Sequence, residues 1–220
     1  MREKQGHFFG RRKGRPLNTG RLDTLDSGAL IHAIQPDTHP QDLFDKPYQN
    51  FALEIGFGNG EHLVQQAERA PDTGFIGCEA FLNGVTACLA QMTTPNVRLW
   101  ADDAMLLLPN LQAGTFETIY LLFSDPWPKS RHHKRRVMQP QTAKLMARLL
   151  KKGGLLRTAT DDANLAQWTL LHGCQNPDLH WLNFEKAEWR DAPLHWIETR
   201  YQQKAAQQGR QPHFIDFIKL

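Results

Sequence analysis

From Phe51 onward the chain alternates short apolar runs with segments of helical character, and this alternation restricts its fold more than any other feature. The apolar runs cover residues 51–55, 75–78, 97–100, 118–123 and 155–159. Between them lie helical patterns such as "EHLVQQAERA" and "DDANLAQWTLLHGC". Strands that alternate with helices usually pair in parallel, with helices covering both faces of the sheet. The sequence therefore predicts an α/β fold with a mostly parallel sheet, and the final "HFIDFIKL" indicates a closing strand.

The first 46 residues differ in composition from the rest of the chain. They are rich in Arg, Gly, Pro, Asn and Asp and show no sustained periodicity. A length of 220 residues fits one domain with an extension. We therefore expect an N-terminal arm over residues 1–46 and one folded domain over residues 47–220. Within that domain "KKGGLL" indicates the end of a helix, because glycines follow a basic last turn.

Positive charge is concentrated in two stretches, although the formal net charge of the chain is only +3. Residues 1–22 hold seven Lys or Arg against one Glu, and residues 129–136 hold five with no acid. The rest of the chain holds more acidic than basic residues. An acidic body with two basic patches indicates a polyanionic partner, although either stretch alone is as consistent with a solvated charged surface.

The cysteines and the N-terminus point to the cytoplasm. Cys78, Cys88 and Cys174 are an odd number without C-x-x-C spacing, which favours reduced, buried thiols over disulfides or a zinc site. The basic N-terminus lacks the apolar core of a signal peptide, and no apolar run approaches the length of a membrane span. His132 and His133 have no evident third ligand, so we expect no metal.

The segment "LEIGFGNGEHL" joins a predicted strand to a predicted helix through Gly56, Gly58 and Gly60. Glycines there allow a tight turn and close approach to a ligand. A dinucleotide fingerprint requires G-x-G-x-x-G, whereas its third position here is Glu61, so a nicotinamide dehydrogenase is disfavoured. The spacing G-x-G-x-G preceded by Glu54 suits a ligand with a cation and an amino acid end.

Acidic residues stand at the ends of the next predicted strands. Glu79 closes the strand of "FIGCEA", where a carboxylate can accept both hydroxyls of a ribose. "ADDA" closes the third strand, where an Asp or the adjacent backbone could bind an adenine edge. Open α/β sheets bind ligands at the carboxyl ends of their strands. Together with the glycine turn, these residues indicate S-adenosylmethionine as the cofactor.

Asp125 follows the apolar run "IYLLF" and begins the unusual segment "DPWPKSRHHKRR". Its strand-end position predicts that it meets the methyl group and the substrate. Pro126 and Pro128 stiffen the loop around Trp127. Trp127 could offer a face for base stacking, worth about 1–3 kcal/mol per base, or it could pack under the loop as part of the core.

The motifs "LEIGFGNGEHL", "IGCEA", "DDA", "FSDPWPKSRHHKRR", "ATDD" and "TRYQ" resemble, in order, those of the tRNA (guanine-N7-)-methyltransferase family. The basic lead-in "FFGRRKGRPLNTG" is similar as well, so the resemblance spans nearly the whole chain. It implies a class I methyltransferase (Rossmann-like) fold with a seven-stranded sheet. It also implies methylation of a guanine in the tRNA variable loop, at position 46 of the tRNA.

The resemblance assigns residues to three tasks. For the cofactor it implies, beside the glycines of the turn, Glu54, Glu79, Asp103 and Asp125. For the substrate it implies Lys129, Asp161, Thr199, Arg200, Tyr201 and Gln202. For the RNA it implies Arg131, His132, His133, Lys134, Arg135 and Arg136. The chain departs from the family pattern at Ser124, usually proline, and at Gln202, usually glutamate.

Guanine N7 already carries a free lone pair, so its methylation needs positioning more than a strong base. The methylated ring is cationic, and a carboxylate can stabilise that charge or accept from guanine N–H groups. We expect Asp125, as the catalytic residue, and Asp161 to act in this way. Two alternatives stay open: a methyltransferase with a non-RNA substrate, and an RNA-binding protein with weak turnover because of Gln202. The oligomeric state is open between monomer and homodimer.

Overall fold

The computed structural model describes residues 9–14, 16, 25, 28–182, 189–193 and 196–220. Two compact units, Met1–Thr115 and Phe116–Leu220, make up the chain. Of the basic stretch at residues 1–22, only residues 9–14 and 16 are among those described. No helix within the described ranges is long and apolar enough to cross a membrane.

Seven strands form one sheet in the order β3-β2-β1-β4-β5-β7-β6. The strands are β1 Asn50–Ile55, β2 Thr73–Cys78, β3 Val97–Trp100, β4 Phe116–Leu122, β5 Leu150–Thr160, β6 Leu179–Trp181 and β7 His213–Lys219. The pairs β1–β2, β2–β3 and β4–β5 are parallel, whereas β7 runs antiparallel to both β5 and β6. The predicted mostly parallel, seven-stranded sheet is thus confirmed.

Helices follow most of the strands. They are α1 Glu61–Arg69, α2 Leu82–Leu89, α3 Ala104–Leu107, α4 Pro140–Leu149, α5 Ala163–Cys174 and α6 Arg200–Gln207. Short 3-10 helices span Pro40–Leu43, Leu108–Asn110 and Ser130–Arg135. In α1 the residues Leu63, Val64 and Ala67 are buried, which is the spacing of one face of an amphipathic helix.

The described part of the predicted arm packs on the first unit. The backbone of Leu30 bridges to Leu99 of β3, and that of Thr38 bridges to Leu111. Phe44 is buried, and its ring packs at a tilt against that of Phe51 of β1, with the ring centroids 6.1 Å apart. Residues 28–46 therefore contribute strand-like contacts and core to this unit, which their irregular composition did not predict.

In the second unit, the prediction that a helix continues to Lys152 was wrong. Helix α4 ends at Leu149 and β5 begins at once with Leu150, so "KKGG" lies in the strand. The register between β4 and β5 shifts between Phe116 and Thr118. Gly153 takes a positive φ of 79°, and a Cβ on Gly154 would lie 3.0 Å from the Phe116 carbonyl oxygen. The two glycines thus serve an irregularity of the sheet and do not cap the helix.

Candidate functional site

The glycine turn after β1 is packed tightly on one side and open on the other. Gly56, Gly58 and Gly60 have φ angles of 77°, 60° and 86°, a region that residues with a Cβ rarely adopt. A Cβ on Gly60 would lie 2.3 Å from Sγ of Cys88, and one on Gly84 would lie 2.3 Å from the Gly58 carbonyl oxygen. A Cβ on Gly56, by contrast, would meet no atom within 4 Å. The turn therefore rests on α2 and leaves free space above Gly56.

Glu79 connects the end of β2 to this turn. Its Oε2 accepts from the Gly58 N–H at 2.9 Å, and its Oε1 accepts from the Phe81 N–H at 2.8 Å. A carboxylate has about four acceptor positions, so these bonds orient Glu79 without exhausting its capacity to accept from ribose hydroxyls.

Asp103 holds a buried oxygen that has no partner among the described residues. Its Oδ1 accepts from the Met105 N–H at 2.9 Å and caps α3. Its Oδ2 is buried and receives no hydrogen bond there. A buried carboxylate oxygen without a donor is unfavourable. A ligand that supplied an N–H group would complete the site, which is what the sequence predicts for an adenine amino group.

Glu54, the last residue but one of β1, is buried and is paired with a residue that the sequence did not single out. The exposed fraction of Glu54 is 3%, and that of His62 is 2%. Glu54 Oε2 lies 2.7 Å from His62 Nδ1. His62 stands eight residues after Glu54, at the second position of α1, so the strand–turn–helix spacing brings the two side chains together.

Residues 9–14 of the arm reach the same edge of the first unit. Arg12 Nη1 lies 2.6 Å from Asp102 Oδ1, and the Arg12 carbonyl oxygen accepts from the Leu82 N–H at 3.0 Å. The Gly14 N–H donates to Oδ1 of Asn83 at 2.8 Å. Arg12 and Gly14 of the arm thus contact the start of α2, and Arg12 also contacts the residue next to Asp103.

In the second unit, Asp125 follows the end of β4 in an exposed loop. The Phe123 N–H donates to the Ala159 carbonyl oxygen of β5 at 2.7 Å, which prolongs the pairing of the two strands. Phe123 and Trp127 have positive φ angles of 49° and 43°. Non-glycine residues rarely adopt this region, so the backbone turns sharply on both sides of Asp125.

Trp127 is half-buried, so it is neither fully exposed for base stacking nor fully packed in the core. The Arg135 guanidinium lies over its ring, 4.9 Å from the centroid, and the His132 ring meets it edge-on at 5.8 Å. Cations are attracted to the face of an indole. One face of Trp127 is therefore covered by Arg135, and a base could stack only on the opposite face or after Arg135 moves.

Arg136 differs from its predicted role in RNA binding. Only 2% of its surface is exposed. Its Nε donates to the Pro126 carbonyl oxygen at 2.8 Å, and Nη2 donates to Asn164 Oδ1 at 2.6 Å. The guanidinium also stacks on the ring of Trp168 at 5.0 Å, and burial lowers the pKa of Arg136. A buried arginine with these partners ties the Asp125 loop to the start of α5 and does not face a polyanion.

The other cations of the segment form the surface of a 3-10 helix. Lys129, Arg131 and Lys134 are exposed, whereas Arg135 and both histidines are half-buried. Partial burial, and then the nearby Arg135, lower the pKa of His132, which favours its neutral form at pH 7. We call the three exposed residues, Lys129, Arg131 and Lys134, the cationic surface.

Asp161, which the resemblance assigns to the substrate, follows β5 and forms an ion pair with Arg210. The contact places a basic residue from the segment before β7 beside the predicted substrate carboxylate. Arg210 also contacts Gln208, so its guanidinium is shared between two acceptors.

The "TRYQ" stretch forms the start of α6. Thr199 is buried and caps the helix, with Oγ1 accepting from the Gln202 N–H at 3.2 Å. Gln202 Oε1 accepts from the Trp196 indole N–H at 2.7 Å. Arg200 and Tyr201 are exposed. Gln202 therefore acts as a hydrogen-bond acceptor, as the usual glutamate could, but it lacks the negative charge of a glutamate.

Residues 48–215 match the model of a protein family described as "Putative methyltransferase". The chain is 41% identical to the tRNA (guanine-N(7)-)-methyltransferase of Rhodospirillum rubrum, over 97% of this chain and 88% of that protein. It is 40% identical to the enzyme of the same name from Azorhizobium caulinodans, over 99% of this chain and 97% of that protein. The chain belongs to the tRNA (guanine-N(7)-)-methyltransferase family.

Solved structures with the same fold as this tRNA (guanine-N(7)-)-methyltransferase family member are also methyltransferases. The 16S rRNA methyltransferase KamB aligns with a TM-score of 0.51 at 14% identity, over 79% of this chain and 89% of that chain. An antibiotic-related methyltransferase aligns with a TM-score of 0.51 at 13% identity, over 79% and 89% of the two chains. At such low identity the likeness shows the fold, which is that of class I methyltransferases.

Three features of this family member were not visible in its motifs. Nothing in the sequence distinguishes the buried Arg136 from the exposed Lys129, Arg131 and Lys134, because all four are cations of one segment. His62 could have been found from its spacing to Glu54 across the turn. Arg210 lies far from Asp161 along the chain, and no local signal links them.

Among the described residues, no group of three His, Cys, Asp or Glu side chains is arranged to hold a metal ion.

Proposed function

We propose that the chain transfers the methyl group of S-adenosylmethionine to N7 of a guanine in tRNA, at position 46 in the variable loop. The observation that carries this proposal is the 41% identity to a tRNA (guanine-N(7)-)-methyltransferase over 97% of the chain. The cationic surface supports it, since Lys129, Arg131 and Lys134 follow Asp125 in one loop of the second unit. tRNA is the partner, and the cytoplasm is the place of the reaction.

The first unit supplies groups that fit the cofactor. Glu54 and the open side of the glycine turn would hold the amino acid end, and Glu79 would hold the ribose. Asp103 would accept from the adenine amino group with Oδ2, which is buried and has no hydrogen-bond partner among the described residues. When bound, S-adenosylmethionine supplies a methyl group activated by its sulfonium.

The second unit supplies groups that fit the guanine. The exposed Asp125 carboxylate stands in a loop that Arg136 fixes through the Pro126 carbonyl oxygen, so its position is defined before substrate arrives. Its charge would favour the cationic product ring and orient the guanine by accepting from an N–H group. Asp161 would act in the same way after its ion pair with Arg210 opens. No proton has to leave N7, so neither carboxylate is needed as a strong base.

Transfer of a labelled methyl group to unmodified tRNA, followed by nucleoside analysis, tests the proposal. We expect 7-methylguanosine at one position, and its loss when that guanine is replaced by adenine. We expect Asp125→Asn to lower kcat by about 100-fold, the usual effect of removing one electrostatic contact to a transition state. Asp191→Asn, which changes an exposed acid elsewhere in the second unit, is the matched control.

Two outcomes would favour the alternatives. Binding of cofactor and tRNA without methyl transfer would indicate an RNA-binding protein with little turnover. Transfer to a small molecule or protein, but not to tRNA, would indicate a different substrate. Normal rates for Asp125→Asn at saturating tRNA and cofactor would contradict the role of Asp125.

A further inference from the structure

A histidine is buried beneath the glycine turn, against the carboxylate that precedes the turn. His62 Nδ1 lies 2.7 Å from Glu54 Oε2, and the exposed fractions of the two side chains are 2% and 4%. Ionisable side chains are rarely buried to this degree without a partner, because their removal from water costs free energy. Glu54 lies at the end of β1, and His62 lies in the first turn of α1.

The second ring nitrogen of His62 is also engaged. Its Nε2 lies 3.2 Å from Nε2 of Gln66, one helical turn further along α1. With the Gln66 amide donating there, Nε2 of the ring is the acceptor and Nδ1 carries the proton. The Nδ1–H group then donates to Glu54. One ring nitrogen is thus a donor and the other an acceptor, which defines the tautomer.

Glu54 has one oxygen left for a ligand. Among the described residues, His62 is the hydrogen-bond partner of Oε2, and no hydrogen bond reaches Oε1. The residue that follows Ile55 is Gly56, where the turn is open. A carboxylate held through one oxygen, two residues before the open position of the turn, is suited to accept from an ammonium group with the other oxygen.

We propose that His62 is a positioning residue for the cofactor. It holds the buried Glu54 carboxylate in place through Oε2 and leaves its Oε1 turned towards the amino acid end of S-adenosylmethionine. Without the Nδ1–H donor, Oε2 would lose its hydrogen-bond partner and the carboxylate could turn to another rotamer, so its contact with an ammonium group would weaken. The inference rests on the proposed function, because it assigns the first unit to that cofactor.

Direct binding of S-adenosylmethionine and S-adenosylhomocysteine, measured by calorimetry without RNA, tests the proposal. We expect His62→Leu to raise both dissociation constants by about tenfold or more, as loss of a partner of a ligand-binding group often does. Both ligands carry the ammonium group, so both should be affected equally. His62→Asn places an amide N–H near the position of Nδ1, and we expect it to restore affinity to within about threefold of the wild type.

Two further variants separate positioning from plain stability. His62→Gln carries the same amide but reaches past the Nδ1 position, so we expect it to behave like His62→Leu; this comparison decides the matter if His62→Leu does not fold. In a double-mutant cycle, Glu54→Gln should abolish the difference between histidine and leucine at position 62, since His62 acts through Glu54.

The outcomes are distinct. If the wild-type protein binds neither ligand, the proposed function fails at its cofactor. If the wild type binds and folded His62→Leu binds equally well, with only its melting temperature lowered, His62 is structural and the positioning role is overturned. Equal loss of affinity in His62→Asn and His62→Leu would overturn it too, because the donor at Nδ1 would then be irrelevant.

Discussion

His213 begins β7 with its ring buried and its polar atoms near the end of β5. Nδ1 lies 3.3 Å from the Thr160 carbonyl oxygen, and the Trp189 ring lies 5.2 Å away. Burial, and next the charge of Arg190, lower the pKa of His213 below its ordinary value of 6.5. The folded protein therefore resists protonation at this residue more than the unfolded chain does.

The sign of the resulting pH dependence follows from proton binding. Below about pH 6.5 the unfolded chain binds more protons at this residue than the folded protein, so the free energy of unfolding falls as pH falls. We expect His213→Asn, which keeps an N–H donor near Thr160, to remove this part of the pH dependence. Urea unfolding between pH 7.5 and pH 5 should show a steeper loss of stability towards low pH in the wild type than in His213→Asn. Parallel curves would contradict the prediction.

At the scale of elements, the basic 3-10 helix Ser130–Arg135 is fastened at its carboxyl end. Arg136 bonds to the Pro126 carbonyl oxygen and to Asn164, and Trp168 donates from its indole N–H to the Met138 carbonyl oxygen at 2.6 Å. The segment is thus rigid where it meets α5 and exposes its cations elsewhere.

Two arginines of this segment should respond differently to replacement. We expect Arg136→Met to lower the free energy of unfolding by about 1–3 kcal/mol, because two partly buried hydrogen bonds of a charged donor are lost. We expect Arg131→Met to leave stability unchanged and to reduce the slope of log tRNA affinity against log salt by about one. Chemical unfolding and salt-dependent tRNA binding measure these effects. If Arg136→Met reduced the salt slope of tRNA binding without lowering stability, Arg136 would instead have to be assigned to the RNA-binding surface.

The elements that the sequence predicted are those with their own periodicity. The strands from β1 to β5 and the closing β7 are apolar enough to be recognised, and the glycine turn marks its own position. By contrast, β6 has three residues and α6 buries mainly Ala205, so neither carries a pattern of its own. Their presence depends on partners, β7 for the strand and the Thr199 cap for the helix. Pairs such as Asp161 and Arg210 depend on the whole fold, which no local pattern encodes.

At the scale of the whole molecule, the three cysteines should report on the integrity of the fold. Cys78 and Cys88 are buried, but Cys174 is exposed, so the prediction of three buried thiols was wrong for Cys174. Burial raises the pKa of Cys88 to about 12 and raises that of Cys78 as well. We expect a disulfide reagent to titrate one thiol rapidly in the native protein and three in denaturant. Rapid reaction of three thiols in the native protein would contradict this arrangement.

Truncation of the arm is the second prediction at this scale. The basic composition of residues 1–22 by itself predicts that their removal weakens RNA binding, flattens its salt dependence and spares the cofactor. Because Arg12 contacts Asp102 and the start of α2, we now expect truncation through residue 14 to weaken S-adenosylmethionine binding as well. Removal of residues 1–8 alone should leave cofactor affinity unchanged. Calorimetry on the two truncations decides between these expectations, and equal cofactor affinity in both would refute the role of Arg12.

The contact between Gly84 and the glycine turn sets a limit for anyone who wishes to make this enzyme more heat-resistant. Replacing a glycine inside a helix by alanine commonly stabilises a protein by about 1 kcal/mol. In α2 the added methyl group would lie 2.3 Å from the Gly58 carbonyl oxygen, so the turn would have to retreat. We therefore expect an alanine chosen for position 84 by helix propensity alone to disturb the turn and to lower the affinity for S-adenosylmethionine, so libraries for thermostability should leave this position unchanged.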